Sequence, residues 1–175
     1  MELRRIHASD PGPLLEAAFA RIERERMAGV PMLNRALRVE ALAFSRWQGQ
    51  WLGILVAPWF MNLVLVPGAG GGWRSVPQGH RIFHRLPAGD FAFLGGCEPE
   101  VGEFQSCALL SNMDRFPDQE SARAVARAAV ALVRAAAARP AGEAESAQAA
   151  KPAEAVRAEA TSKREFLRSL LPRRA

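Results

Sequence analysis

The chain has no tyrosine, only two cysteines and three histidines, and no apolar run that continues unbroken for the length of a membrane-spanning helix. Cys97 and Cys107 cannot make the disulfide framework of a small secreted domain, and 175 residues are enough to bury a core without one. There is no C-x-x-C and no second cysteine pair, so the spacing of a structural zinc site is missing as well. His80 and His84 fall on one face of a candidate strand, about 13 Å apart, too far to share an ion without distortion. Charge of one sign is not massed anywhere. The 23 basic and 18 acidic residues give +5, divided as 16 against 13 before Pro140 (+3) and 7 against 5 from there on (+2). An excess spread that evenly argues little for a polyanionic partner. The N-terminal "MELRRIHASDPGPLLEAAFARIERER" contains no apolar h-region and no small-residue cleavage site, so the expected compartment is cytoplasmic.

What the chain does have is aromatic and apolar in a concentrated way. Nine Phe and four Trp make up its aromatic residues, and from Trp47 to Trp73 no charge occurs. A bilayer-spanning helix needs about 20 consecutive apolar residues. Pro58 and Asn62 interrupt this run, and Pro67-Gly68 close it. Ile54-Leu55-Val56 and Leu63-Val64-Leu65-Val66 are β-branched, strand-length and bounded by breakers. Two strands buried on both faces are therefore expected, and they require helices packed on the sheet. No stable membrane insertion is expected.

The flanking segments supply those helices. After Asp10-Pro11 or Gly12-Pro13, which suit a helix start, Leu15, Ala18/Phe19 and Ile22 recur at helical spacing until "AGVPMLN". Leu37, Val39, Ala41 and Ala43 alternate with Arg38 and Glu40 as a half-buried strand would, and "RWQGQW" reads as a turn. "GAGGGW" lacks the Lys-Ser/Thr of a phosphate-binding loop and no helix follows it, so it reads as a mobile surface loop able to fold over a peptide. "HRIFHRL", "GDFAFLGG" and "GEFQSCALL" are three further strands, the last two joined as a hairpin through "CEPEVG". From Asp114 the pattern turns helical. Ala122, Val125/Ala126, Ala129, Leu132/Val133 and Ala136 form a stripe, with Arg123, Arg127 and Arg134 on the opposite, solvated side and Asp118 placed to cap. The expected fold is α+β: an antiparallel sheet of about five or six strands with N- and C-terminal helices packed on it. Residues 12–139 form the domain, and 140–175 are an Ala-rich flexible linker ending in a short basic amphipathic segment.

Several of these segments, in order, resemble one family. "PWFMNLVLVPG", Trp73, "LPAGDFAF" and "GEFQSCALLSNMDRFPDQESA" are similar to the HybE family of NiFe-hydrogenase assembly chaperones, which includes HupJ and HoxT proteins. The resemblance covers residues 12 to 138. It is carried by the Met61-Asn62 entry to an apolar strand ending at Pro67-Gly68, and by a Cys before Met113, Phe116 and Asp118-Gln119. Ala108, Leu109 and Leu110 stand where the family is rich in Ser and Phe, Asn112 stands in place of Pro, and Phe104 stands where Tyr is common. The resemblance implies a cytoplasmic, non-enzymatic accessory protein without a cofactor. Its partners would be the hydrogenase small-subunit precursor, with or without its twin-arginine leader, and other hydrogenase accessory proteins.

Client-binding candidates follow from position and type: Trp59, Phe60 and Trp73 at strand ends and loops, and Met113 and Phe116 as exposed apolar residues beside the second helix. Trp47 and Trp51 read as core and hairpin packing. Two other classes keep a foothold in the residues. A small cysteine enzyme would use Cys107 with His80 or His84. A nucleic-acid-binding module would use Arg123, Arg127 and Arg134 as a contiguous face, although no nucleic-acid partner is expected. "SKREFLRSLL" from Ser162 resembles a twin-arginine leader motif placed at the wrong end of a chain, and reads as a basic amphipathic helix.

Overall fold

The computed structural model describes residues 4–135. It contains helix α1 (Gly12–Arg26), strands β1 (Glu40–Trp47), β2 (Gln50–Ala57), β3 (Phe60–Val66), β4 (Arg81–Leu86), β5 (Gly89–Glu98) and β6 (Gly102–Leu110), and helix α2 (Gln119–Ala135). The six strands form one antiparallel sheet in the order β1-β2-β3-β6-β5-β4, as the α+β reading expects. The 140–175 segment, Ala136 and the leader-like motif lie outside the described residues.

The charge-free run forms the β2–β3 hairpin, not a span. Among the described residues no helix is long and apolar enough to cross a membrane. Leu52, Ile54, Val56, Met61, Leu63 and Leu65 enter the core under α2, while Leu55, Val64 and Val66 enter a second core under α1. Each such side chain contributes about 1.5–3 kcal/mol on leaving water, so the hairpin is held from both faces. Helix α1 crosses the β1–β2 side of one face and α2 the same strands on the other.

Helix α1 starts after Pro11, with Asp10 Oδ1 accepting the Gly12 N–H at 2.8 Å, and buries Leu15, Ala18 and Phe19. Its far end is fixed electrostatically. Arg21 reaches Glu98 at 2.7 Å and Glu100 at 2.7 Å on the β5–β6 turn. Helix α2 begins later than its pattern suggests. Asp114 belongs to a turn closed by Asn112, and Asp118 is the cap, its Oδ1 accepting the Ser121 N–H at 2.8 Å. Val130 joins the buried stripe and Leu132 is left exposed. The arginines on this helix do not form a solvated face. Arg123 Nε donates to Glu40 at 2.9 Å, and Arg134 Nη2 donates to the Leu52 carbonyl at 2.8 Å; only Arg127 stands well out in water.

Strand β1 departs from simple alternation. It starts at Glu40, and Ala43 sits at φ 55 in a bulge between Leu42 and Ser45. Before the bulge Ala41 packs with the α1 core. After it the parity reverses, so that Phe44 also packs there and Trp47 meets the α2 core. Gly53 makes room: a Cβ there would sit 2.5 Å from the Phe44 ring.

Two stability predictions follow from this packing. Leu63→Ala should cost about 2–5 kcal/mol in urea unfolding, the range for a truncated core leucine. Arg21 holds the Glu100 carboxyl down at about 2, against an ordinary 4.5. A depressed carboxylate contributes stability above its unfolded value and loses it as pH falls through the folded one. Unfolding midpoints should therefore drop between pH 4.5 and 2. Arg21→Gln should flatten that part of the profile, and an unchanged slope would show that the Arg21–Glu100 pair does not contribute.

Candidate functional site

The Gly-rich connection from β3 to β4 is fastened to the sheet by three buried polar side chains. Gln50 Oε1 accepts the Gly68 N–H at 2.8 Å, and its Nε2 donates to the Gly71 carbonyl. Gly70 N–H reaches the Gly49 carbonyl at 3.2 Å, an approach that needs glycine because a Cβ on Gly70 would lie 2.4 Å from the Gly49 Cα. Further along, Glu103 Oε2 accepts from Trp73 Nε1 at 2.9 Å and from Ser75 Oγ at 2.8 Å. Gln105 Nε2 donates to the Arg74 carbonyl at 2.7 Å. What read as a mobile loop is thus tied down at Gly68, Gly71, Trp73, Arg74 and Ser75, while Gly70, Gly71 and Gly72 remain exposed at its crest.

Between this loop and the sheet lies a pocket of about 180 Å³, lined by Trp47, Gln50, Leu65, Trp73, Arg74 and His84 among others. Metabolite-sized sites run to about 300–1,000 Å³, so this one has room for a single side chain. Its His is oriented. Gln105 commits its amide nitrogen to Arg74, so its Oε1 faces His84 Nε2 at 2.5 Å and can only accept. His84 therefore carries a proton on Nε2, and its ring lies edge-on to Phe93 with centroids 5.1 Å apart. The pocket offers two indole rings, one fixed imidazole and the backbone of a Gly-rich crest.

The five candidate residues do not gather in one place. Trp73 lines the pocket. Trp59 and Phe60 sit half-buried at the β2–β3 turn on the α1 face, their rings 5.4 Å apart and Phe60 5.6 Å from Phe19. Met113 and Phe116 are not exposed: they are 1% and 5% accessible, inside the core beneath the start of α2. Asn34 Nδ2 donates to both of their carbonyls, at 2.9 and 2.8 Å, which draws that turn onto the sheet. Trp51 packs in the α1 core, with Arg46 stacked 4.2 Å from its ring centroid, and Trp47 packs against the α2 core, both as expected; Trp47 also lines the pocket.

The loop anchors Gln50, Glu103 and Gln105 were not legible as site residues. The signal was present: Glu103 and Gln105 lie two apart in an otherwise apolar strand, so both fall on the buried α2 face. Cys107 is buried in the sheet, with Leu63 as its register partner on β3. His84 Nε2 is engaged by Gln105, His80 is exposed, and burial pushes the Cys97 thiol up, helped by Glu103 and Glu98. No group of three metal-ligating side chains occurs among the described residues.

Residues 10–169 match the family model described as NiFe-hydrogenase assembly, chaperone, HybE. The chain belongs to this family. Over 133 residues, 69% of the chain and 74% of the relative, it is 42% identical to Protein HoxT of Cupriavidus necator. It is 39% identical over 120 residues, 69% of each chain, to the hydrogenase expression/formation protein HupJ of Bradyrhizobium diazoefficiens. The solution structure of HybE from Escherichia coli has the same fold, with a TM-score of 0.64 at 23% identity, covering 88% of this chain and 98% of that one. This chain carries its tryptophan pocket on that fold.

Removing the carboxylate that holds Trp73 should open the pocket. Glu103→Ala should shift tryptophan emission to the red and speed amide exchange across Trp73–Ser75, whereas Glu103→Gln, which can still accept both bonds, should leave emission close to wild type. Equal spectra for the two variants would show that Glu103 does not position the indole.

Proposed function

We propose that this chain is a cytoplasmic, non-enzymatic chaperone that binds the immature small subunit of a NiFe hydrogenase before export or assembly. The observation that carries the reading is the Trp47–Trp73 pocket. On a scaffold whose family assembles hydrogenases, it is a preformed seat, lined by indole rings and polar groups alike and sized for one side chain of a protein client rather than for a metabolite. Trp59 and Phe60 form a second aromatic contact on the opposite face, and Met113 and Phe116 support that end of the sheet from within. Specificity comes from a difference in affinity: the precursor exposes apolar chain that the finished subunit has buried, so only the immature form is held.

Tryptophan-fluorescence titration of the full chain with a NiFe-hydrogenase small-subunit precursor, with and without its twin-arginine leader, tests this. Saturable binding is expected, and Trp73→Ala should weaken it about tenfold or more, the scale of a buried aromatic anchor. Trp59→Ala should weaken it less. Binding that needs the leader makes the leader the ligand, and binding that ignores it makes the subunit body the ligand. Failure to bind either form would overturn the reading.

A further inference from the structure

The two edges of the sheet are treated differently. At β1 part of the outward backbone is occupied. Ala41 N–H donates to Glu16 Oε1 at 2.8 Å, Arg38 N–H just before the strand donates to Gln119 Oε1 at 2.9 Å, and the Ala43 bulge twists what is left. Strand β4, at the other end, pairs only with β5. Gly95 N–H donates to the His80 carbonyl at 2.9 Å, and bonded pairs alternate along an antiparallel ladder. With Ile82 opposite Phe93, His84 opposite Phe91 and Leu86 opposite Gly89, the even-numbered residues direct their backbone groups at β5. Arg81, Phe83 and Arg85 therefore send their N–H and C=O groups off the sheet.

The same three residues share one face, the side of the sheet that carries α1, where α1 packs mainly on β1 and β2 and meets β5 at its end, through the ion pairs of Arg21 and Arg26 with Glu98. Phe83 is 53% exposed at the centre of the edge, and Leu94, diagonal to it on β5, is 44% exposed. Arg81 and Arg85 flank Phe83, and Arg85 faces Asp90 at 3.6 Å. Charge alone on an edge strand discourages pairing. A half-exposed phenylalanine between two arginines, with three sets of backbone groups unpaired among the described residues, instead offers a template with both apolar and electrostatic complement.

We propose that β4 is a docking edge that accepts an extended segment of the protein client as a seventh strand. That segment carries a bulky apolar residue opposite Phe83 and, two residues away, a carboxylate opposite Arg81. Backbone hydrogen bonds supply affinity in this mode, and alternate side chains supply the choice of partner. The proposal rests on the chaperone reading for its client, but it concerns a different surface from the tryptophan pocket.

Two probes test it on the full chain. The first is a blocked nonapeptide of alternating Thr and Val with a central Phe and Glu two residues to either side, followed by amide exchange and NMR shifts. Slowed exchange at Arg81, Phe83 and Arg85 is expected, lost when Lys replaces Glu in the peptide. Protection of those amides in the chain alone would overturn the proposal. If it grows with concentration the edge pairs with a second copy, and if it does not the edge is covered by another part of this chain. The second probe is the small-subunit precursor. Phe83→Pro removes an outward N–H without breaking a bond to β5 and should weaken precursor binding at least tenfold, and Phe83→Ala should weaken it severalfold. Precursor binding unchanged in both variants would overturn the docking edge and leave the chaperone reading standing. A precursor that fails to bind the wild-type chain would overturn the chaperone reading, and the peptide result would then decide the edge by itself.

Discussion

Strands β2 and β3 bury side chains on both faces at once, and the rest of the molecule is arranged to allow it. Leu52, Ile54 and Leu63 leave water only if one helix lies over them, and Leu55 and Val64 only if another lies beneath. This requirement places α1 and α2 on opposite faces, both toward the β1 side of the sheet. It also leaves β4 and most of β5 away from the main packing of α1 on that face. The exposed Phe83–Leu94 strip is thus a consequence of how two helices are shared among six strands.

The polar residues inside this frame hold loops in place. Gln50, Glu103 and Gln105 each sit on a strand with one side chain buried, and each accepts from or donates to the β3–β4 connection. A buried polar group left unpaired costs about 1–3 kcal/mol, so such residues hold the loop in one arrangement as firmly as the loop satisfies them. The outcome is a small pocket of mixed polar and aromatic lining beneath the glycine crest. Arg21 plays the comparable part on the other face, tying α1 to the β5–β6 turn through Glu98 and Glu100.

Family membership and geometry speak to different questions. The match over residues 10–169 places the chain among NiFe-hydrogenase assembly chaperones. The pocket and the β4 edge are the two places where we propose that a client is held. One is a seat for a single side chain, the other a line of backbone donors and acceptors. They lie on opposite faces of one sheet, so a client using both would wrap around the edge rather than lie on a single surface.

By itself the sequence determined the element order, the two-faced burial of the central hairpin and the family. These depend on short-range patterns: β-branched runs between breakers, helical spacing in the flanking segments, and motifs preserved in order. What it could not determine was which residues meet across the sheet. The Ala43 bulge reverses the parity of β1, and no local pattern announces it, because a backbone at φ 55 on an alanine is stable only when Phe44 can settle over Gly53 on the next strand. Met113 and Phe116 look like surface residues in a polar turn, yet Asn34, far away in the chain, draws them into the core. Arg123 and Arg134 look solvated until β1 and β2 bring Glu40 and the Leu52 carbonyl beside them. In each case the deciding partner is distant in sequence, and only tertiary packing brings it within reach.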